Sequence, residues 1–186
     1  MRILLAGATG ALGTTLTPML VEAGHDVFGT SRSRASQAAL AGTGAEPVLM
    51  DGLDPASVGR AMTTAKPDVV IHQLTALKGL ANLKKFDEEF AETNRLRTEG
   101  TDHLLKAALE VGATRFIAQS FTGWTNPRGP SEPATETEGL DPEPKPEARR
   151  TLAGIGYLER VVTETSGLTG IALRYGGFYG PGTGLG

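Results

Sequence analysis

The stretch Arg2-Ile-Leu-Leu-Ala-Gly-Ala-Thr-Gly-Ala-Leu-Gly13 decides the fold. Its residues 3–6 have the length and apolar character of a strand buried on both faces, as a parallel sheet requires. Gly7, Gly10 and Gly13 follow at intervals of three, and an amphipathic stretch comes directly after them. Strand, glycine turn and helix in that order make a βα unit whose turn suits a dinucleotide pyrophosphate. Glycine lets the backbone reverse sharply and lets a phosphate approach with no Cβ in the way, while the helix aims its free amides and positive dipole end at the anion. A glycine triplet alone also occurs in turns without a ligand, so the strand and helix around it carry the meaning.

Outward from that turn, strands and helices alternate, the pattern of a parallel sheet covered on both faces. The expected fold is therefore α/β, a Rossmann-type doubly wound sheet of about six strands in one domain over residues 1–186. The first strand is Arg2 to Ala6. A helix over about 11–23 buries Leu12, Leu16, Leu20 and Ala23 and stops at Gly24. His25 to Thr30 is the second strand, followed by a short polar helix near 36–41, and Glu46 to Met50 is the third strand. Asp54-Pro55 supplies an N-cap and first-turn proline for a helix ending near Ala65. Pro67 to Leu74 is the fourth strand. A long helix, interrupted early, spans 86–111, turns Leu96, Gly100, Leu104, Ala107 and Ala108 inward and ends at Gly112. Arg115 to Ser120, a helix over 148–165 and Gly170 to Tyr175 complete the series.

One segment breaks the rhythm. Residues 126–148 hold six of the eleven prolines and six carboxylates, a composition that builds neither a helix nor a central strand. It is expected to be a long surface loop or lid, mobile rather than packed.

Composition removes several classes of function. The 18 basic and 21 acidic residues give a net charge of −3 with no basic block, so no nucleic-acid partner is expected. There is no cysteine, which rules out disulfides, thiolate zinc sites and thiol nucleophiles. His25, His72 and His103 lie at spacings that make no helical pair, so no metal site is expected. No apolar run approaches the ~20 residues of a membrane span, and a cytoplasmic location is the default.

With these motifs in order, the chain resembles the short-chain dehydrogenase/reductase superfamily, and most of all its extended branch, the NAD-dependent epimerase/dehydratase family. The resemblance rests on Gly7-Ala-Thr-Gly-Ala-Leu-Gly13, Asp51-Gly-Leu, Asn94 with Thr98-Glu-Gly-Thr101, Arg115-Phe-Ile-Ala-Gln-Ser120, and Leu173-Arg-Tyr-Gly-Gly-Phe-Tyr-Gly-Pro-Gly182. It implies that Gly7, Thr9, Gly10, Ala11, Leu12 and Gly13 line the pyrophosphate. Asp51 and Gly52 would flank the adenine, Leu74 and Thr75 the nicotinamide ribose, and Asn94 belongs to the same cofactor set. Asp51 also suits a helix or turn cap. The resemblance also implies a small-molecule substrate, a nucleotide sugar among the candidates, and allows a homodimer. The chain is expected to be the cofactor half of a longer protein, with a substrate-binding part beyond residue 186.

Cofactor choice has its own physical handle. An acid at the end of the second strand binds the ribose hydroxyl of NAD, whereas an arginine there accommodates the extra phosphate of NADP. No acid lies between Asp26 and Glu46, and that window contains Thr30-Ser-Arg-Ser-Arg34. Arg32, with Ser33 beside it, favours NADP over NAD.

Catalysis is where the chain leaves the pattern. The resemblance implies a tyrosine and, four residues later, a lysine that lowers the phenol pKa from its usual ~10. Tyr157 stands at the expected place, but position 161 is valine, leaving Arg160 one turn away as a different cation. A hydroxyl after the fifth strand is also implied, with Ser120 and Thr122 as candidates and Phe121 at the usual position. The expected function is an NAD(P)-dependent epimerase, dehydratase or reductase acting on a hydroxyl or carbonyl. The alternative is an NADP-binding sensor with weak or no catalysis.

Overall fold

The computed structural model describes residues 1–77, 85–127 and 135–178. Six parallel strands are set in the order β3-β2-β1-β4-β5-β6: β1 Arg2–Ala6, β2 Asp26–Ser31, β3 Glu46–Leu49, β4 Val69–His72, β5 Arg115–Phe121 and β6 Thr169–Tyr175. This is the doubly wound order expected, and the strand sequence reverses direction between β1 and β4, where open sheets of this kind leave a crevice. Leu4 is in register with Phe28 on one side and Val70 on the other, and Val70 with Phe116.

The pleat sorts alternate residues into two layers. Leu4, Ala6, Phe28, Val70, Phe116 and Ala118 pack with α3 Pro55–Ala65, α6 Thr101–Glu110 and α7 Arg149–Glu164, while Ile3, Leu5, Val27, Val69 and Ile71 face the other side. There they meet Leu16, Leu20 and Val21 of α1 Gly13–Glu22 and Leu40. Asp54 caps α3 as expected, its carboxylate accepting from Ala56 N at 2.9 Å.

Three expectations need correction. On α1, Ala23 is exposed and Thr17 is fully buried, its hydroxyl bonded to the Gly13 carbonyl. A threonine that turns its Oγ1 onto the preceding turn leaves a methyl for the core, so apolar periodicity alone misplaced the stripe. The polar helix begins earlier, as α2 Arg34–Gln37, because Ser33 caps it through Ser36 N. The long helix is α4 Phe86–Glu89, α5 Ala91–Arg95, a π turn at Leu96–Gly100, and α6. Its inward residues are all buried as expected, and Gly24 and Gly112 both end helices at positive φ.

The proline-rich segment is anchored over its described second half. Asn126 donates to the Gly139 carbonyl at 3.2 Å, Asp141 N to Thr125 O at 2.8 Å, and Arg174 Nη1 to Glu138 O at 2.8 Å. An extended chain without secondary structure still needs partners for its peptide groups, and here the Asn126 and Arg174 side chains and the Thr125 carbonyl provide them. Residues 135–139 are exposed, as expected of a surface loop, while 128–134 lie outside the described residues, as do Tyr179–Gly182 of the last motif.

The start of α7 has no side-chain cap of its own. Asp87 of α4 supplies one across the fold, accepting from Arg150 N at 2.9 Å, Thr151 N at 2.7 Å and Thr151 Oγ1 at 2.6 Å. Burial opposes ionisation of Asp87, but these bonds and the nearby Arg150 charge outweigh it and hold its pKa below the usual carboxylate value.

Candidate functional site

The crevice opens at the C-terminal ends of β1 and β4. Gly7 adopts φ +95°, and a Cβ there would lie 2.8 Å from the Gln73 carbonyl of the strand beside it. Gly10 N closes the turn onto Gly7 O at 3.0 Å. The amides of Thr9, Ala11 and Leu12 have no backbone acceptor among the described residues, and Gly10 and Ala11 are exposed. Unpaired donors at the first turn of α1, with an open glycine between them, fit the pyrophosphate of a dinucleotide.

At the end of β2, Arg32 is exposed and pairs with Glu92 of α5 at 2.9 Å, the two side chains 66% and 52% accessible. Ser33 is engaged as the α2 cap, and its hydroxyl lies 2.8 Å from that of Ser36. Asp51 makes a local turn, Oδ1 accepting from Leu53 N at 3.0 Å, so its carboxylate combines a capping role with an exposed face. Gly52 is buried, and its carbonyl accepts from or faces His103 Nδ1 at 3.1 Å. Leu74 packs partly on the core and Thr75 is exposed after β4. Asn94 turns toward α7, donating to Thr151 Oγ1 at 3.0 Å.

The hydroxyl groups at β5 and α7 are not brought together. Ser120 is buried and donates to Glu159 Oε1 at 2.5 Å. Tyr157, two residues earlier on α7, donates instead to Asp102 of α6, 2.8 Å from both oxygens. Two residues on a helix are ~200° apart, so these side chains leave α7 on opposite sides. The Asp102 hydrogen bond, then burial, raise the Tyr157 pKa, away from that of a proton acceptor. Arg160 stacks over the Tyr157 ring at 5.3 Å. Thr122 donates to Asn126 Oδ1 at 2.9 Å.

The sequence matches the NAD dependent epimerase/dehydratase family over residues 3–186. The chain belongs to this family. It is 43% identical over 186 residues to a 3-diazoavenalumate denitrifying reductase of a Streptomyces species, a match covering 99% of this chain and 58% of that protein. The chain therefore spans little more than half the length of that relative. The UDP-glucose 4-epimerase of Thermus thermophilus, solved with NAD, superposes with a TM-score of 0.76 at 24% identity, over 98% of this chain and 57% of that one. The Thermotoga maritima UDP-glucose 4-epimerase, solved with UDP-glucose, gives 0.76 at 25% identity, over 97% and 57%. No helix among the described residues is long and apolar enough to cross a membrane.

In this epimerase/dehydratase family chain, three groups carry contacts that the sequence did not reveal. Glu159 holds Arg174 through paired bonds, Nε to Oε1 and Nη2 to Oε2, both 2.8 Å. Burial would raise the Glu159 pKa, but hydrogen bonds from Arg174 and Ser120 and the Arg174 charge outweigh it and depress the value. Phe86, Phe90 and Trp124 form an aromatic cluster, with Phe86 stacked on Phe90 at 4.3 Å and edge-on to Trp124 at 5.0 Å. Arg97 is buried in the π turn. Its signal was available: Thr93, Arg97, Thr101 and Leu104 share the helix spacing of the buried stripe, and a cation in such a stripe is out of place.

Proposed function

We propose that the protein binds NADP(H) at the glycine turn and serves as a reductase that delivers hydride to a small molecule with no proton relay through Tyr157. One observation carries this reading: the Tyr157 hydroxyl is committed to Asp102, on the other side of α7 from the Ser120–Glu159 pair. A phenol with a raised pKa and no adjoining lysine is poorly suited to exchange a proton near neutral pH.

The chain's own groups suit the binding half of this role. Thr9, Ala11 and Leu12 offer amides to the pyrophosphate, Gly7, Gly10 and Gly13 keep the approach open, and Asp51, Gly52, Leu74 and Thr75 border the rest of the crevice. Arg32 and Ser33, just after β2, are the groups that would meet a ribose phosphate; no acid stands at the C-terminal end of β2, and the exposed Glu92 that pairs with Arg32 would yield to the phosphate. When bound, the reduced nicotinamide supplies a hydride; on a carbon bearing a diazonium group this forms a C–H bond as the C–N bond breaks and its electron pair leaves with N2, and no proton is needed. The name of the 43% identical relative, a denitrifying reductase of a diazo compound, describes chemistry of this kind.

Fluorescence titration tests the cofactor: NADPH should bind about tenfold or more tightly than NADH, and Arg32→Asp should remove that preference. Reduced cofactor deuterated at the transferable position tests the chemistry with an arenediazonium acceptor. Deuterium in the arene and release of N2 are expected; binding without transfer would favour a sensor.

A further inference from the structure

Arg97 is the one feature of the crevice that neither the fold nor the glycine turn explains. Its side chain is only 7% exposed, and its sole hydrogen bond among the described residues is a long one, Nη1 to Asn94 Oδ1 at 3.5 Å. It makes no ion pair among the described residues. Burial lowers its pKa to about 10, which still leaves it charged at neutral pH. A buried guanidinium with five donors and one weak acceptor is a costly arrangement unless an anion completes it.

The guanidinium is not sealed in. Its residual exposure is 7%, and no Arg97 nitrogen stands among the fully buried unpartnered side-chain atoms of the described residues, where Gln73 Oε1 does. The guanidinium lies close enough to the end of β4 for its charge to act on the His72 ring. Phe90, Asn94 and Arg97 stand at i, i+4 and i+7 across α5 and the π turn, and the Phe90 ring stacks on Phe86, which meets Trp124 edge-on.

We infer that Arg97 is held for a substrate carboxylate, and that the aromatic cluster receives the flat unsaturated body that carries it. A dinucleotide's own phosphates lie at the glycine turn, so they leave this cation unmatched. The planar fork of arginine suits a carboxylate held by two bonds. The inference deepens the reductase reading, since it assumes that substrate occupies the C-terminal edge of β4 and β5.

Calorimetric titration with cinnamate and its neutral amide, cinnamamide, with and without saturating NADP+, tests this. Wild type should bind cinnamate about tenfold more tightly than cinnamamide. Arg97→Met should abolish that difference, leave NADPH affinity unchanged and keep or raise the melting temperature, because it removes an uncompensated buried charge. Arg97→Lys should retain part of the preference. Equal binding of the two probes, or of neither, by wild type would overturn the inference, as would a lower melting temperature in Arg97→Met, the mark of a purely structural arginine. Loss of NADPH binding in that variant would also overturn it, by assigning Arg97 to the cofactor. If wild type itself fails to bind NADPH, the reductase reading fails by a separate measurement, and the probe comparison without cofactor still decides the role of Arg97.

Discussion

The Tyr157 hydroxyl lies 2.8 Å from each carboxylate oxygen of Asp102, a contact that ties α7 to α6 on the side away from Ser120. Its geometry makes the phenol a donor to a fixed anion. The sign follows directly: with its folded pKa raised, Tyr157 contributes stability that is present below pH ~10 and lost as pH rises through the folded value. Tyr157→Phe should cost no more than about 1 kcal/mol of stability and leave hydride transfer within about twofold of wild type. Absorbance titration of the phenols should show one late-ionising tyrosine that moves earlier in Asp102→Asn. A large loss of turnover in Tyr157→Phe with normal cofactor binding would restore the tyrosine to the chemistry.

Glu159 makes a different prediction, because both members of its pair with Arg174 are mostly buried, 14% and 24% exposed. Arg174→Met strands a carboxylate beside Ser120 and should cost roughly 3 kcal/mol. It should also release residues 136–138, where Arg174 holds the Glu136 and Glu138 carbonyls, seen as faster proteolysis within that segment. The depressed Glu159 pKa gives stability that is present above the unfolded carboxylate value and lost as pH falls through the folded one. Glu159→Gln should therefore weaken the fold at neutral pH and flatten its acid transition, as followed by circular dichroism.

The strands and the glycine turn were legible because they are local: an apolar run, a glycine at fixed spacing and a capping Asp54-Pro55 pair act within a few residues. The site was less legible because its partners are remote. Asp87 meets Thr151 across 64 positions, Tyr157 meets Asp102 across 55 and Ser120 meets Glu159 across 39, and no periodicity encodes such meetings. Placing Tyr157 by its distance from neighbouring motifs fixed its helix but not the direction in which it leaves it. The π turn was hidden for the same reason. It sits where His72 reaches the Leu96 carbonyl, a contact that exists only once β4 and the helix are side by side.

Within the turn itself, Gly10 and Gly13 should separate folding from binding. A Cβ on Gly13 would lie 2.6 Å from the Ala8 carbonyl carbon, an overlap with rigid backbone. Gly13→Ala is expected to cost several kcal/mol or prevent folding. On Gly10 the nearest atom to such a Cβ is Gly7 O at 3.2 Å, and the other side is open. Gly10→Ala should fold with a melting temperature close to wild type yet lose about tenfold or more in NADPH affinity, because the methyl occupies the approach of the phosphates. Unchanged affinity in a folded Gly10→Ala protein would argue against the pyrophosphate at this turn.

His72, the last residue of β4, ties the end of the sheet to the pH range of the fold. Leu74 N donates to its Nδ1 at 3.2 Å, which leaves the proton on Nε2 to be given to Leu96 O at 3.3 Å. Burial outweighs the help of that carbonyl, and with a smaller push from the Arg97 charge it lowers the pKa from 6.5 to about 4. The neutral ring is thus the folded form. A base whose folded pKa is lowered contributes stability that is complete above the unfolded value of 6.5 and lost as pH falls toward 4. That window amounts to about 3 kcal/mol for this one ring. Wild type should lose stability steadily between pH 6.5 and pH 4 in urea titrations, ahead of the carboxylates. His72→Gln keeps a donor for Leu96 O without a titrating ring, so it should flatten that part of the curve. An equally steep loss in the variant would place the acid sensitivity elsewhere in the fold.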